Sequence, residues 1–437
     1  MAKLNSTKII LGSFFIAVII GTLLLSLPFA SKDGNSTDFL SCLFTATSSL
    51  CVTGLVVVDT ATHWSFFGQL IILILIQVGG LGVIVVTSLI AIFLGQKISF
   101  WQRTTLQEAL SVQKVGGIIK LVMFVIRLVI IFELSGAFLL FFQFVKDFDL
   151  PTAIWYSFFH SISAFCNAGF DLMGAREPFS SLTFYQSNTL VNVVVMFLIV
   201  FGGIGFSVWD DIITRRFHFR KYKLQSKIVF FTTLFLILLP AIYFYFYEFQ
   251  TLPTKTRVLS SLFQSVTTRT AGFNTADFND MTDVGKSISM MLMLIGGSPG
   301  STAGGMKTTT IAILIISTIS VFKRQNEPHI FNRRIGMQII KNAMTIFMMY
   351  LNMFLIFAFL ICNLCGFELM DTLFETASAL GTVGLTLGIT TKLSSLSMVF
   401  IIILMFLGRV GALTFIYAII PSLNSEPGYI SENVAVG

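Results

Sequence analysis

Four short stretches of the chain carry one glycine each in the same local setting. They are Ser48-Ser49-Leu50-Cys51-Val52-Thr53-Gly54-Leu55, Ser163-Ala164-Phe165-Cys166-Asn167-Ala168-Gly169-Phe170, Val266-Thr267-Thr268-Arg269-Thr270-Ala271-Gly272-Phe273 and Ser378-Ala379-Leu380-Gly381-Thr382-Val383-Gly384-Leu385. They align without gaps, with the glycines 115, 103 and 112 residues apart. A cation stripped of its water needs replacement oxygens, and backbone carbonyls from four loops around one axis can supply them. Such carbonyls face a common axis only on unusual dihedrals, and glycine adopts φ > 0 at little cost. Small, polar segments headed by Phe44, Phe159, Phe263 and Phe374 precede the loops. They read as half-helices whose negative dipole ends point at the ion. Candidate ligands are therefore Val52, Thr53 and Gly54; Asn167, Ala168 and Gly169; Thr270, Ala271 and Gly272; and Thr382, Val383 and Gly384. No Asp or Glu occurs among the four residues ending at each glycine. That favours a weakly hydrated monovalent ion over Ca²⁺ or Mg²⁺ held by carboxylates. Thr382-Val383-Gly384 spells the start of the K⁺-filter signature TVGYG, and the other loops are looser versions. One such loop alone would be an ordinary turn; four in register reverse that weighting.

A second signal accompanies the first. Glycine clusters at Gly79-Gly80-Leu81-Gly82, Gly202-Gly203-Ile204-Gly205, Gly296-Gly297 and Gly408-Arg409-Val410-Gly411 follow the loop glycines by 25, 33, 24 and 24 residues. Small residues let helices approach closely within a bilayer. The third cluster opens the run Gly296, Gly297, Ser298, Pro299, Gly300, Ser301, Thr302, Ala303, Gly304, Gly305, Met306, Lys307, which cannot remain helical with five glycines and a proline. Irregular backbone at membrane depth is tolerated where it lines a cavity or is buried in protein; a simple kink is the alternative. The run is not a nucleotide P-loop, because Met306 separates the last glycine from Lys307 and an apolar helix precedes it. Arg409 stands alone in the last apolar stretch and should face the bundle interior or a wet cavity. Arg269 and Glu375 could brace loops by bonding to their backbone, and Arg127 and Glu133 could form a buried contact within one span or face the interface. The five cysteines, Cys362-x-x-Cys365 included, and the four histidines show no metal or disulfide framework.

These groups need elements to hold them, and composition says in which solvent. The 437 residues are 55% hydrophobic and 11% charged, with 47 Phe, far from the composition of a soluble domain. Mean hydropathy is +0.87. Apolar runs near 9–30, 65–94, 117–145, 185–208, 228–248, 287–318, 338–365 and 395–420 read as eight spanning helices, the sixth interrupted by glycines. The segments between paired spans are too short to cross and read as re-entrant. The expected fold is an all-α polytopic membrane protein of four pseudo-symmetric helix–pore loop–helix repeats around one pore. The repeats fall at 1–94, 95–223, 224–322 (with 296–307 as an intramembrane loop) and 323–437. With the amino terminus inside, inside segments carry 17 basic and six acidic residues, and outside segments eight basic and 14 acidic. This bias places both termini in the cytoplasm of a multi-pass protein of the plasma membrane. It also accounts for the net charge of +7 without nucleic acid. An intramembrane enzyme is disfavoured, because neither H-E-x-x-H nor paired aspartates on a span occur.

The loops Val52-Thr53-Gly54, Asn167-Ala168-Gly169-Phe170, Thr270-Ala271-Gly272-Phe273-Asn274 and Thr382-Val383-Gly384 resemble those of the Trk/Ktr/HKT superfamily of K⁺ transporters, over nearly the whole chain. Eight spans without an extra amino-terminal pair look like the Ktr membrane subunit, of KtrB or KtrD type. The resemblance implies K⁺ as the transported ion, with Na⁺ as a second candidate and no organic cofactor. It also implies that Gly296, Gly297, Ser298, Pro299, Gly300, Ser301, Thr302, Ala303, Gly304, Gly305 and Lys307 form a movable obstruction beneath the filter, with Arg409 as its counterpart. The implied partners are a second copy in a homodimer, each chain enclosing its own pore, and a cytosolic nucleotide-binding RCK-type ring (KtrA or KtrC type). A weakly selective Na⁺/K⁺/NH₄⁺ channel or symporter is the alternative.

Overall fold

Apolar stretches of 20 to 30 residues become long helices, and each is followed by a short polar helix and then by a helix broken at glycine. The computed structural model describes residues 6–96, 98–110, 116–216, 218–325 and 327–419. The tail residue Lys3, positions 111–115 of an inside loop and the carboxyl end from 420 lie outside the described residues.

In chain order, α1 (Ser6–Leu25) leads to the short α2 (Phe39–Cys51), then α3 (Phe66–Leu81), broken at Gly82 before α4 (Val83–Phe93); α5 (Phe100–Ala109) follows. Next come α6 (Ile118–Asp147), the short α7 (Leu150–Phe165) and α8 (Thr189–Ile204), broken at Gly205 before α9 (Phe206–Arg215). The third group is α10 (Leu224–Tyr243), the short α11 (Thr254–Thr267) and α12 (Asp283–Leu294), parted from α13 (Thr308–Phe322) by residues 295–307. A hairpin of β1 (His329–Ile330) and β2 (Arg333–Arg334) leads to α14 (Met337–Cys365), the short α15 (Leu369–Gly381) and α16 (Ser395–Val410), broken at Gly411 before α17 (Ala412–Ile419).

Local chemistry starts and stops these helices. Asp38 accepts from Leu40 N and Ser41 N at the head of α2. Ser65, Asn188, Thr282 and Ser394 cap α3, α8, α12 and α16 in the same manner. Gly366, at φ 68, ends α14. The long helices turn apolar faces outward: Phe15, Ile16 and Leu23 of α1, Phe231 and Phe235 of α10, and Met348 and Phe359 of α14 are exposed. Such a belt suits lipid and not water. The short helices lie inside it. In α2, Thr45, Thr47, Ser48 and Ser49 are buried, and Ser49 Oγ returns a hydrogen bond to Thr45 O at 2.7 Å.

The glycine clusters supply both the breaks and the close approaches. Gly82 and Gly205 adopt φ 90 and φ 101, and the chain turns by 94° at each. The expected continuous span over 65–94 is thus bent. A Cβ on Gly79, Gly202 or Gly408 would run into the carbonyl oxygen of Leu50, Phe165 or Leu380, the last turns of α2, α7 and α15. Among the described residues, three helices are long and apolar enough to cross a bilayer alone, Thr7–Leu25, Leu224–Glu248 and Met337–Cys365, or up to five when each bent pair is one span. The sequence expectation was eight. A glycine cuts α3, α8 and α16 to 16 residues each, so none of these three reaches a spanning length alone.

Candidate ion-conduction site

Each short inner helix ends in a loop with the same backbone. The residue two before the glycine is left-handed in all four: Val52 (φ 57), Asn167 (φ 59), Thr270 (φ 69) and Thr382 (φ 52). The glycines follow at φ 90, 69, 81 and 94. Positive φ is an outlier for β-branched Val and Thr, and such conformations persist where surrounding contacts over-determine them. Those contacts are present. Thr53 N, Ala168 N and Val383 N donate to Ser48 O, Ser163 O and Ser378 O, each at 2.8 Å, and Ala271 N donates to Thr267 O at 2.9 Å. Side chains of the short helices add a second tie. Ser48 Oγ accepts from Gly54 N (3.1 Å) and Ser378 Oγ from Gly384 N (3.0 Å), while Ser163 Oγ donates to Phe170 O (2.7 Å) and Thr267 Oγ1 to Phe273 O.

The loops meet in a closed ring. A Cβ on Gly54 would face Ala168 O, on Gly169 Ala271 O, on Gly272 Val383 O and on Gly384 Thr53 O, each within 3.0 Å. Each loop touches the next, and the fourth returns to the first. Main-chain oxygens of Thr53, Ala168, Ala271 and Val383 therefore sit around one centre, with no room for a side chain at any glycine. All four glycines line a single cavity of about 410 Å³, whose wall also carries Asp59, Asp171, Glu177 and Asp277. Asp59 is fixed there, accepting from Ala61 N, Thr62 N and Phe179 N.

Residues 296–307 lie against the other side of the ring. Gly304 packs on the Thr382 side chain, and Thr302 Oγ1 donates to Phe165 O at 3.0 Å. The loop leaves and returns with its ends parallel: Gly296 N donates to Met306 O (2.8 Å) and Thr308 N to Gly297 O (3.0 Å). Neighbouring helix breaks pin it. Ser298 N and Thr302 N donate to Gly203 O and Gly202 O, Gly305 N donates to Gly408 O, and Gly300 O accepts from Phe206 N, at 2.8 to 3.2 Å. Pro299 O abuts Gly205, and Ser301 Oγ donates to Ser298 O. Lys307 Nζ folds back on Ala303 O (2.8 Å) and Gly304 O (3.4 Å). Arg409 clasps the whole, donating from one nitrogen to Thr302 O and from the other to Gly79 O and Gly80 O. Beyond the loop lies a second cavity of about 360 Å³, lined by Gly80, Gly300, Gly305, Lys307 and Arg409 among others. The ring glycines line the first cavity and residues of the loop line the second, and the two share no lining residue. Among the described residues no group of three or more His, Cys, Asp or Glu could hold a metal ion.

The family model for TrkH, described as a cation transport protein, matches residues 2–427. The chain belongs to the TrkH family. Among curated relatives, the potassium/sodium uptake protein NtpJ of Enterococcus hirae is 38% identical, over 100% of this chain and 98% of its own length. Ktr system potassium uptake protein B of Bacillus subtilis is 36% identical over 100% and 97%. The crystal structure of the potassium transporter TrkH from Vibrio parahaemolyticus superposes with a TM-score of 0.73, covering 96% of this chain and 86% of that one. At 20% identity this last likeness speaks for the fold alone.

For this TrkH-family chain the structure gathers all twelve sequence-selected loop residues at the ring, and the 296–307 run and Arg409 beside it. Other selections fare differently. Glu375 accepts from the hydroxyls of Thr386 (2.6 Å) and Thr390 (2.5 Å), not from loop backbone, and so ties α15 to the chain that follows its loop. Arg269 is buried behind the third loop, with Nε unpartnered. Arg127 is exposed and makes no ion pair with Glu133. Cys365 meets Ser394 and Ser397 rather than Cys362. Sequence reasoning missed His160, whose Nδ1 bonds to Tyr156 O (2.7 Å) while Nε2 accepts from Leu172 N (3.2 Å). These bonds tie α7 to the chain leaving the second loop. A histidine one residue after Phe159, three before the Ser163 tie, was the available signal.

Proposed function

We propose that this chain is the membrane-embedded, ion-translocating subunit of a K⁺ uptake system. The observation that carries the reading is the cyclic contact of four loop glycines with four neighbouring carbonyls. A dehydrated K⁺ ion would be held there by backbone oxygens of Val52, Thr53 and Gly54, Asn167, Ala168 and Gly169, Thr270, Ala271 and Gly272, and Thr382, Val383 and Gly384. The four helix groups act as repeats at 1–94, 95–223, 224–322 and 323–437 around that pore, and α1, α3, α6, α8, α10, α12 with α13, α14 and α16 serve as eight spans. The acidic cavity faces outside, so both termini are cytoplasmic, in keeping with the basic inner loops. Residues 296–307 with Arg409 close the path beneath the ring and open when a cytosolic nucleotide-binding ring changes state. The chain works as a homodimer with one pore per copy. Names of relatives as potassium uptake proteins support the choice of ion.

Restoration of K⁺ or Rb⁺ uptake in a K⁺-uptake-deficient cell, with and without a candidate RCK ring, tests this reading. Growth rescue at low K⁺ that depends on the chain is expected; no uptake under either condition contradicts it. A second reading, passage of Na⁺ alongside K⁺, draws on the three loops that depart from Thr-Val-Gly and on the name potassium/sodium uptake protein of the Enterococcus relative. Equal Na⁺ and K⁺ permeability in liposomes would favour it.

The outer cavity carries a pH-dependent charge. Partial burial pushes the Asp171 carboxyl up to about 7, with Met173 N opposing the shift through its hydrogen bond and Asp59 adding to it. Above that pH the group is an anion that draws cations to the mouth; below it the group is neutral. Apparent affinity for external K⁺ is expected to weaken by a few-fold as external pH falls through about 7. Asp171→Asn should show the weaker affinity at every pH. A wild-type pH profile in that variant would contradict the assignment.

A further inference from the structure

Glu133 sits in mid-α6, 8% exposed, and pairs with no basic side chain among the described residues. An unpaired acid at membrane depth is costly and marks function by default. Its partners are informative. Glu133 Oε2 accepts from Gln77 Nε2 of α3 at 3.3 Å, and Oε1 lies 3.9 Å from the thiol of Cys166. The same thiol is 3.5 Å from Gln77 Oε1. Ser161 Oγ of α7 donates to the Glu133 main-chain oxygen at 2.6 Å.

Cys166 caps the end of α7 and directly precedes left-handed Asn167. Its sulfur is lodged on Gly80, where an added Cβ would stand 2.6 Å away. Gly80 O in turn accepts from Arg409 at 3.2 Å. One carboxyl group thus joins α3, α6 and the end of α7 behind the second loop, and reaches Gly80, whose carbonyl Arg409 grips, only through the Cys166 sulfur.

We propose that Glu133 is a positioning residue for ion discrimination: with Gln77 it holds the Cys166 side chain on Gly80 and so sets the second loop in the ring. This rests on the filter reading above. Glu133 turns Oε2 to the Gln77 amide and Oε1 to the thiol, and a Gln of the same shape would keep one acceptor oxygen for Gln77 and set an amide N–H against the sulfur. Alanine would leave the half-buried Gln77 amide without that acceptor and free the thiol to turn.

The test is K⁺/Na⁺ permeability in liposomes carrying the full-length chain, with melting temperature measured alongside. Glu133→Ala and Cys166→Ala are each expected to lower the permeability ratio at least about tenfold, as loss of outer-shell partners does at metal sites. Glu133→Gln should restore it. The double Ala variant should lose no more than either single variant, because the two groups act as one unit. A wild-type ratio in Glu133→Ala, equal loss in Glu133→Gln, or additive losses would each overturn the proposal. Should Glu133→Ala fail to reach the membrane, Cys166→Ala and Gln77→Ala carry the test, and wild-type ratios in both overturn it. A wild-type chain with no K⁺ preference would instead defeat the filter reading, a separate outcome.

Discussion

Gly384→Ala is expected to abolish the preference for K⁺ over Na⁺ while the chain still inserts and folds. Two costs coincide at this position. The backbone stands at φ 94, where an L side chain is strained by about 1–2 kcal/mol. The added methyl would also press on Thr53 O, a main-chain atom of the neighbouring loop that cannot rotate away. The ring must open to admit it, so the oxygens no longer match a K⁺ ion. If the combined cost is about 3 kcal/mol and falls on the K⁺ site, the permeability ratio drops about 100-fold. Gly388→Ala is the matched control. Gly388 lies four residues on at φ 93, but an added Cβ there meets nothing within 4 Å. It shares the strain without the collision and should keep wild-type selectivity. Loss in both variants alike would assign the effect to backbone strain and not to the ring.

Shortening residues 298–305 is expected to raise K⁺ flux in the absence of any cytosolic ring, and Arg409→Ala should do the same to a lesser degree. A shorter connection must remain, because the loop's ends run parallel to each other: Ile295 bridges Met306 in parallel, and Gly296 N donates to Met306 O. The loop is held by main-chain bonds to Gly202, Gly203 and Gly408 and by the Arg409 clasp from Thr302 O to Gly79 O and Gly80 O. Hydrogen bonds from a charged donor contribute about 1.5–3 kcal/mol each, so removing the clasp alone should raise the open fraction at least about tenfold. Tracer Rb⁺ flux into proteoliposomes measures this directly. Flux equal to wild type in the shortened variant would mean that these residues do not close the path.

Much of this arrangement was legible before any coordinates, and the parts that were not share a cause. Glycine spacing revealed the four loops because each needs positive φ and close approach at the same place. Charge counting and long apolar runs marked the outer helices because lipid tolerates little else. What could not be read was backbone that opposes residue preference. Val52, Thr270 and Thr382 are β-branched, and nothing in their type suggests a left-handed conformation; the serine and threonine ties of the short helices impose it. The break points were also hidden, since Gly82, Gly205 and Gly411 sit in stretches as apolar as a continuous span. Glu375, a candidate brace for loop backbone, bonds two threonine hydroxyls, because sequence distance does not tell which of several nearby donors a carboxylate will face. Arg127 and Glu133, six residues apart on one helix, project to different surroundings, one exposed and one against α3 and α7.

The most direct measurement is anomalous scattering from Rb⁺ or Tl⁺ in crystals of the K⁺-depleted protein. A peak on the axis enclosed by the Thr53, Ala168, Ala271 and Val383 carbonyls, displaced by excess K⁺, is expected. Heavy-ion density only at the acidic mouth or on the periphery, with that centre empty in a transport-competent preparation, would contradict backbone coordination at the ring.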